Sequence, residues 1–397
     1  MAVLVNSDSL SIYLHLPFCR SRCAYCDFNT YAGFESYIPA YVRSLKKEIE
    51  IAGHFIKGIE EIQSVYFGGG TPTLLKAYFI NDFIQKVRET FKFTPVVEIT
   101  SEANPCELTK DYLTSLVAAG VNRLSIGMQS AVSRELKLLG RRHTREDTAN
   151  AVDSARQAGF KNINLDLIFG IPEQTLASFR ESLTFALDLQ PEHLSLYALT
   201  LEETTPLAGQ VRKGEISAID DDLAGDMYSM AMEMLVDWGF IQYEISNWSL
   251  SGRFECTHNL QYWRNLHYLG FGAGAHSHYN KIRWENCASI KKYISSLKTV
   301  EPERFPAAAA EINQLDKQTL IQETIMMGLR LTREGLIDSQ FICRFGMSIE
   351  DLFENEIRVL IDQGLLEWAV LEKERHLRLT RRGRMLGNQV FMRFMGD

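Results

Sequence analysis

A chain of 397 residues, 46% hydrophobic and 23% charged, can bury one large core and a smaller one, which predicts two domains. Its net charge of −8 argues against nucleic acid as the main partner, because phosphate binding draws on clustered Lys and Arg. The N-terminal stretch has no basic n-region and no apolar run long enough to span a bilayer, and an odd set of seven cysteines fits a reducing compartment, so a cytoplasmic location is expected.

In chain order, short β-rich runs at 11–16, 64–67, 96–100, 123–127, 162–168 and 193–198 alternate with helical patterns at 37–55, 109–119, 145–157 and 178–187. In the first helical stretch, Tyr41, Leu45, Ile49 and Ala52 form one apolar stripe. Strand-then-helix units of this length demand an α/β fold, a mostly parallel sheet with helices outside. Periodicity alone fits a barrel and an open sheet equally. Residues 282–315, with Pro302, Pro306 and the run Ala307 to Ala310, read as a linker from a first domain (1–281) to a second (316–397). In the second, 318–331, 338–345 and 350–363 are predicted helices, 366–380 a hairpin and 384–394 a last helix, a winged-helix-like order. Its hairpin end is basic (Lys373, Arg375, Arg378, Arg381, Arg382, Arg384). Without a recognition helix bearing a matching basic face, DNA reading is not expected.

Directly after the first strand come Cys19, Cys23 and Cys26, spaced CxxxCxxC. Zinc would need paired CxxC units or histidines at ligand spacing, and a disulfide would strand one thiol. Three thiolates on a tight loop instead fit a [4Fe–4S] cube, usually held by four, with one iron left open. Cys106, Cys256, Cys287 and Cys343 read as ordinary free thiols. This spacing resembles the cluster motif of the radical SAM superfamily, in which the open iron binds the amino and carboxylate groups of S-adenosylmethionine (SAM).

Further special residues fall directly after strands, on the face where barrel enzymes build their sites. Gly68-Gly-Gly-Thr-Pro72 is either a permissive turn or an edge whose backbone amides approach a ligand. Glu102 reads as a cap, a loop charge or a ligand-facing carboxylate; Gln129, Arg141 and Asp166 are equally ambiguous, and Arg142 rivals Arg141. Taken with FGGGTP, SEANP, RLSIGMQS, LGRRHT and NLDLIFGIPEQT, these residues resemble the oxygen-independent coproporphyrinogen III oxidase family and its heme-chaperone branch, over almost the whole chain. The resemblance implies a radical SAM partial (β/α)6 barrel with a smaller C-terminal helical, winged-helix-like domain. It places SAM contacts on Tyr13, Gly69, Gly70, Thr71, Glu102, Gln129, Arg141 and Asp166, with Thr200 at a further contact position.

Two departures bear on the branch. Phe28 stands where the oxidases carry a further cysteine, and the long segment that they have before the cluster is not expected here. Conversely, His258-Asn-Leu-Gln-Tyr262-Trp263 resembles the HNxxYW hallmark of the heme chaperones. An imidazole is a standard axial ligand of heme iron, and Tyr262 and Trp263 offer flat faces to a porphyrin. The same three residues also read as ordinary core, and His276 and His278 are rival iron ligands. The resemblance therefore implies a chaperone using a [4Fe–4S] cluster, SAM and heme, with the oxidase as the alternative. It leaves open the heme-acceptor protein, whether that acceptor is membrane-associated, and whether the chain forms a homodimer.

Overall fold

The computed structural model describes residues 9–56, 61–218, 220–300 and 304–395. The first eight residues, part of the stretch read for targeting signals, and Pro302 lie outside them.

Six parallel strands form the centre, hydrogen-bonded in sequence order: β1 (Ser9–Leu16), β2 (Glu61–Gly69), β3 (Phe93–Ala103), β4 (Arg123–Gln129), β5 (Ile163–Phe169) and β6 (His193–Ala198). Helices α1 (Ile38–Phe55), α2 (Ala77–Thr90), α3 (Lys110–Ala119), α4 (Arg145–Ala158) and α5 (Leu176–Asp188) carry the chain between strands, and α6 (Asp221–Asp237) follows the sixth. The two-residue period of each strand decides what faces where. Leu10, Ile12 and Leu14, then Val65 and Phe67, Leu124 and Ile126, Ile163 and Leu165 all point to the helices. They join one core with Leu45 and Ile49 of α1 and Phe83 of α2. Alternate positions are polar and meet inside the barrel: Ser64 Oγ donates to Ser11 Oγ at 2.7 Å, Asn164 Nδ2 to Ser125 Oγ at 2.7 Å, and Ser195 Oγ to Asn164 Oδ1 at 3.1 Å. Apolar packing thus assembles the barrel from outside and leaves a polar lumen.

Among the described residues the sheet has twelve strands and extends beyond these six. Past β6 lie β7 (Ile241–Glu244) and β8 (Asn247–Ser249); on the β1 side lie β9 (Tyr268–Phe271), β10 (His276–Tyr279), β11 (Ile282–Asn286) and β12 (Ala309–Gln314). A short helix, α7 (Thr257–Trp263), plugs the end of the lumen where the strands begin: Gln261 Nε2 donates to Ser9 O at 3.0 Å. Its first backbone amides, of Thr257 and His258, donate to the Glu98 carboxylate at 3.0 and 3.2 Å, which caps the helix.

The stretch 282–315, expected as a linker, is instead part of the sheet. It forms β11, helix α8 (Ile290–Thr299) and β12, because its backbone groups find partners: Cys287 N donates to Ala308 O at 3.0 Å and Leu315 N to Lys281 O at 2.8 Å. Tyr293 and Leu297 of α8 join the main core.

The C-terminal unit has its own core of Leu320, Ile325, Phe341, Leu360, Leu377 and Phe394. It comprises α9 (Lys317–Gly328), β13 (Leu336–Ile337), α10 (Asp338–Phe345), α11 (Ile349–Asp362), the hairpin β14 (Leu366–Leu371) and β15 (Glu374–Leu379), then α12 (Arg381–Met385) and α13 (Gly387–Met392). Two bidentate pairs, Arg283 with Glu323 and Arg264 with Glu334, tie it to the barrel. Its basic hairpin end is largely committed within the chain: Arg375 pairs with Glu350, Arg378 with Glu367 and Arg381 with Glu233.

Candidate functional site

The ends of the central strands open into a cavity of about 550 Å³. Cys19, Cys23, Cys26, Gly69, Gly70, Thr71, Glu102, Gln129, Arg141, Asp166, Arg142 and Thr200 all line it. Residues spread over almost two hundred positions of sequence thus converge on one chamber.

The cysteine loop is fixed at its base and along its length, where Ala24 N donates to Leu139 O at 3.0 Å, Leu207 N to Ala24 O at 2.9 Å and Thr204 Oγ1 to Asp27 Oδ1 at 2.7 Å. Phe18 is buried edge-on against Tyr41, the short strands Phe18–Cys19 and Tyr31–Ala32 pair in parallel, and the amides of Gly70 and Thr71 donate to the Leu16 and Phe18 carbonyls at 2.9 and 2.8 Å. All three cysteines are free thiols: Thr71 Oγ1 lies 3.7 Å from Cys19 Sγ and Arg141 Nη1 3.6 Å from Cys23 Sγ, and Cys26 is met by the Phe28 backbone and the Thr30 side chain. Burial pushes the Cys19 thiol up to about 11, and Cys26 is raised for the same reason. A bound metal reverses that preference, since coordination deprotonates a thiol. Among the described residues, no three His, Cys, Asp or Glu side chains are grouped as they would be around a single ion. Three uncommitted thiols on one wall fit a multi-iron cube as a donor set.

The glycine run works differently from expectation. A Cβ on Gly70 would lie 2.6 Å from the Phe18 carbonyl oxygen, so the close approach there requires glycine. The amides expected to meet a ligand are taken, Gly69 N by Glu102 Oε2 at 3.2 Å and the next two by the cysteine loop. What remains for a ligand is carbonyl oxygen, an acceptor suited to an ammonium group.

Opposite stand two carboxyl groups. Glu102 accepts from Tyr66 OH at 3.0 Å, yet burial, with Asp166 adding to it, pushes its carboxyl up to about 7. Asp166 accepts from Asn164 Nδ2 (2.8 Å) and Ser125 Oγ (3.0 Å) and is still raised by burial. Arg123 only partly offsets the burial of these two acids, and a pair of raised carboxyls suits a cationic ligand group. The acidic pair is complemented by Arg141, whose Nη2 donates to Gly127 O at 2.7 Å while its buried Nε has no partner, leaving a donor for a carboxylate. Gln129 is held in the left-handed region (φ 63°), the kind of backbone strain that collects at binding sites. The donors and acceptors of this chamber therefore fit a cluster together with a zwitterionic amino acid such as the methionine end of SAM.

Some expected residues fall elsewhere. Tyr13 lies one layer beneath the cavity, stacked on Tyr66 at 6.2 Å with its hydroxyl 3.1 Å from His15 Nδ1. Tyr66, Ser125 and Asn164 were not anticipated from sequence, although the two-residue period from Gly68, Gly127 and Asp166 aims them at the same lumen. Phe28 is 69% exposed at the rim.

Of the residues that the resemblance assigns to heme, His258 is buried, and Tyr262 and Trp263 are half-buried. The His258 side chain is 2% exposed; its Nδ1 lies 2.9 Å from Ser64 Oγ, its Nε2 3.0 Å from Tyr262 OH, and its ring stacks on Tyr66 at 4.9 Å. Burial, with Arg123 nearby, pushes its pKa down to about 3, so the imidazole is neutral and both nitrogens are engaged. Tyr262 packs edge-on against Tyr268, and Trp263 lies under Arg330 at 4.5 Å beside Tyr243 and Leu331. Of the rival histidines, His276 is exposed and 3.9 Å from Glu285, while His278 is buried.

A partial barrel with three free cysteines after its first strand defines a radical SAM protein. The chain matches the radical SAM superfamily over residues 13–186 and the HemN C-terminal domain over 315–386. The solved coproporphyrinogen III oxidase (HemN) of Escherichia coli superposes with a TM-score of 0.81 over 98% of this chain and 90% of its own, at 24% identity, a likeness of fold. Closer sequence kinship lies with the heme chaperone HemW of Bacillus subtilis, 35% identical over 98% of this chain and 99% of that protein. The heme chaperone HemW of E. coli is 31% identical over 99% and 100%, and the mouse mitochondrial radical S-adenosyl methionine domain-containing protein 1 is 34% identical over 91% and 82%. The chain belongs to the HemW family.

Proposed function

We propose that the protein is a cytoplasmic heme chaperone that binds heme, a [4Fe–4S] cluster and SAM and delivers the heme to a protein acceptor. The observation that carries this is the near-full-length kinship with heme chaperones, joined to a chamber whose residues suit cluster and SAM. Cys19, Cys23 and Cys26 hold three corners of the cube, and its open iron supplies a coordination site for the amino and carboxylate groups of SAM. Glu102 and the glycine-run carbonyls receive the ammonium group, Arg141 pairs with the carboxylate, and Asp166 and Gln129 complete the wall. Phe28, exposed at the mouth, offers no thiol for further chemistry.

The test is anaerobic reconstitution followed by iron and sulfide analysis, SAM binding, heme titration and transfer of bound heme to a purified apocytochrome. Heme uptake and transfer without protoporphyrinogen formation is the expected result. Failure to bind heme overturns the proposal, as does conversion of coproporphyrinogen III with stoichiometric 5′-deoxyadenosine.

A further inference from the structure

The two edges of the twelve-stranded sheet are finished differently. Beyond β7 the C-terminal unit lies along the edge and takes up its backbone: Thr332 N donates to Tyr243 O at 3.1 Å, Thr332 Oγ1 to Gln242 O at 3.0 Å and Ile245 N to Arg330 O at 3.1 Å. At the other edge stands β12, exposed over residues 310–314. Leu315 N donates to Lys281 O at 2.8 Å, and the register against β11 pairs Asn313 with Arg283 and Glu311 with Glu285. Bonded and non-bonded pairs alternate along an antiparallel ladder, so Glu311, Asn313 and Leu315 direct their backbone groups at β11, while Ile312 and Gln314 direct theirs outward. Among the described residues, no backbone group meets those of Ile312 and Gln314. Nor does residue 309–314 contain a Pro or Lys, common means of keeping an open edge from pairing.

The two faces of this edge differ in chemistry. Ile312 shares a face with Trp284, its cross-strand neighbour, and continues an apolar strip that runs from Phe55 through Phe305 to Trp284, with ring centroids 5.4 Å apart at each step. Trp284 is 5% exposed but Ile312 is 55% exposed, so the strip reaches solvent at the edge. The other face is acidic. Glu311 lies directly opposite Glu285, an arrangement that costs stability unless a cation comes near. Neither is neutralised by Lys or Arg among the described residues: Arg283, on the same face, is paired with Glu323, Asn313 Nδ2 donates to Glu311 at 2.7 Å, and Glu285 has His276 at 3.9 Å.

A strand seated here must offer backbone donors and acceptors at every second residue, an apolar residue against Ile312 and a basic one against Glu311. We propose that β12 is a docking edge that takes an extended basic segment of a partner protein, in which Lys or Arg alternates with apolar residues, as the next strand of the sheet. Strand addition draws its affinity from main-chain hydrogen bonds and its specificity from alternate side chains. Glu311 supplies that specificity. It attracts a basic strand and disfavours a second copy of this edge, which would bring further carboxylates to a pair already without a cation. The inference stands on the sheet edge alone and is independent of the heme-carrying reading.

The probe is a short fluorescent peptide in which lysine alternates with valine, titrated by anisotropy against the reconstituted full chain. It binds, and hydrogen exchange slows in residues 309–315 but not at the covered edge, 241–244. Replacing each lysine of the peptide by glutamate weakens binding by about tenfold or more, since several charge pairs are inverted. Ile312→Pro deletes an outward N–H while leaving the β11 ladder its bonds, and it lowers affinity for the lysine peptide by a similar factor. Glu311→Lys, at an exposed position, turns the preference toward the glutamate peptide. No binding of the lysine peptide, or binding that leaves exchange at 309–315 unchanged, overturns the proposal. So does a concentration-dependent dimer in sedimentation that Ile312→Pro dissolves, because a second copy then covers the edge. Should Ile312→Pro misfold by circular dichroism, Glu311→Lys decides: an unaltered preference between the two peptides overturns the proposal.

Discussion

The cysteine loop and helix α7 both bring chemistry-bearing side chains to the barrel lumen, but they differ in how those groups are occupied. At the loop the backbone does the structural work, through the amides of Gly70 and Thr71 and the ring of Phe18, and the Cys19 and Cys23 thiols are left with long contacts of 3.7 and 3.6 Å. At α7 the side chains themselves do it: His258 joins Ser64 to Tyr262 and backs Tyr66, which in turn holds Glu102. A buried polar group with all its partners inside the protein stabilises the fold, and one without them is available to a ligand. By that criterion the cluster loop is built to receive something, and α7 is built to support the wall behind it.

Removing side chains one at a time tests this division. Cys19→Ala, Cys23→Ala or Cys26→Ala abolishes the cluster in iron and sulfide analysis, while changing the stability of the metal-free protein by less than about 1 kcal/mol. His258→Ala does the reverse. It deletes a buried ring and leaves Ser64 and Tyr262 without that partner, a loss of about 2–4 kcal/mol in denaturant unfolding. Iron content survives it, and SAM affinity drops a few-fold because Tyr66 loses its stacking support behind Glu102. A His258→Ala protein as stable as the parent would remove the distinction between the two regions.

Within the chamber, Arg141→Ala weakens SAM binding by about 1.5–3 kcal/mol, the usual range for a charged hydrogen-bonding partner, and Glu102→Gln weakens it less. Both keep their iron, which calorimetry with SAM on the reconstituted variants checks. Equal SAM affinity in both variants and the parent would mean that the uncommitted donors of this wall face some other ligand.

These contrasts also explain what was readable from residue order. The six central strands emerge within a few residues of their bounds, since each is a run of alternating apolar positions flanked by turns; the cysteines, Gly69 to Thr71, Glu102, Gln129 and Asp166 stand out by their place at strand ends, while their reading as SAM contacts, and that of Arg141, comes from the family resemblance. The sheet extension does not emerge: its strands are short, and Pro306 with the alanines after it looks like a break, while the pairing of Cys287 with Ala308 is set by tertiary contact. Nor could sequence tell that His258 has both nitrogens engaged and His278 an unpartnered one. Residue type is local information, but occupancy of its hydrogen bonds depends on Ser64, almost two hundred positions away.

The finest version of the comparison sets one buried acid against another. Glu48 on α1 is wholly structural: it accepts from Tyr293 OH at 2.6 Å, Asn286 Nδ2 at 2.6 Å and Gly272 N at 2.9 Å, pinning the turn after β9 to the helix layer. Burial outweighs these donors and pushes its carboxyl up to about 7, the same position that Glu102 reaches in the chamber. Between the unfolded value near 4.5 and about 7, the folded state therefore holds protons at both sites that the unfolded chain releases, so stability falls as pH rises through this window and levels off above it. Each acid contributes on the order of 1–3 kcal/mol to that decline. Glu48→Gln and Glu102→Gln each flatten the decline by one share, measured as unfolding free energy at pH 5 and pH 8. A cationic ligand separates them: the SAM ammonium beside Glu102 favours its ionised form and removes the Glu102 share, whereas Glu48, sealed behind the sheet, keeps its own. The pH dependence of the SAM-loaded protein should then match that of Glu102→Gln without ligand, and a loaded protein that instead keeps the full decline would show that no positive charge comes to rest against Glu102.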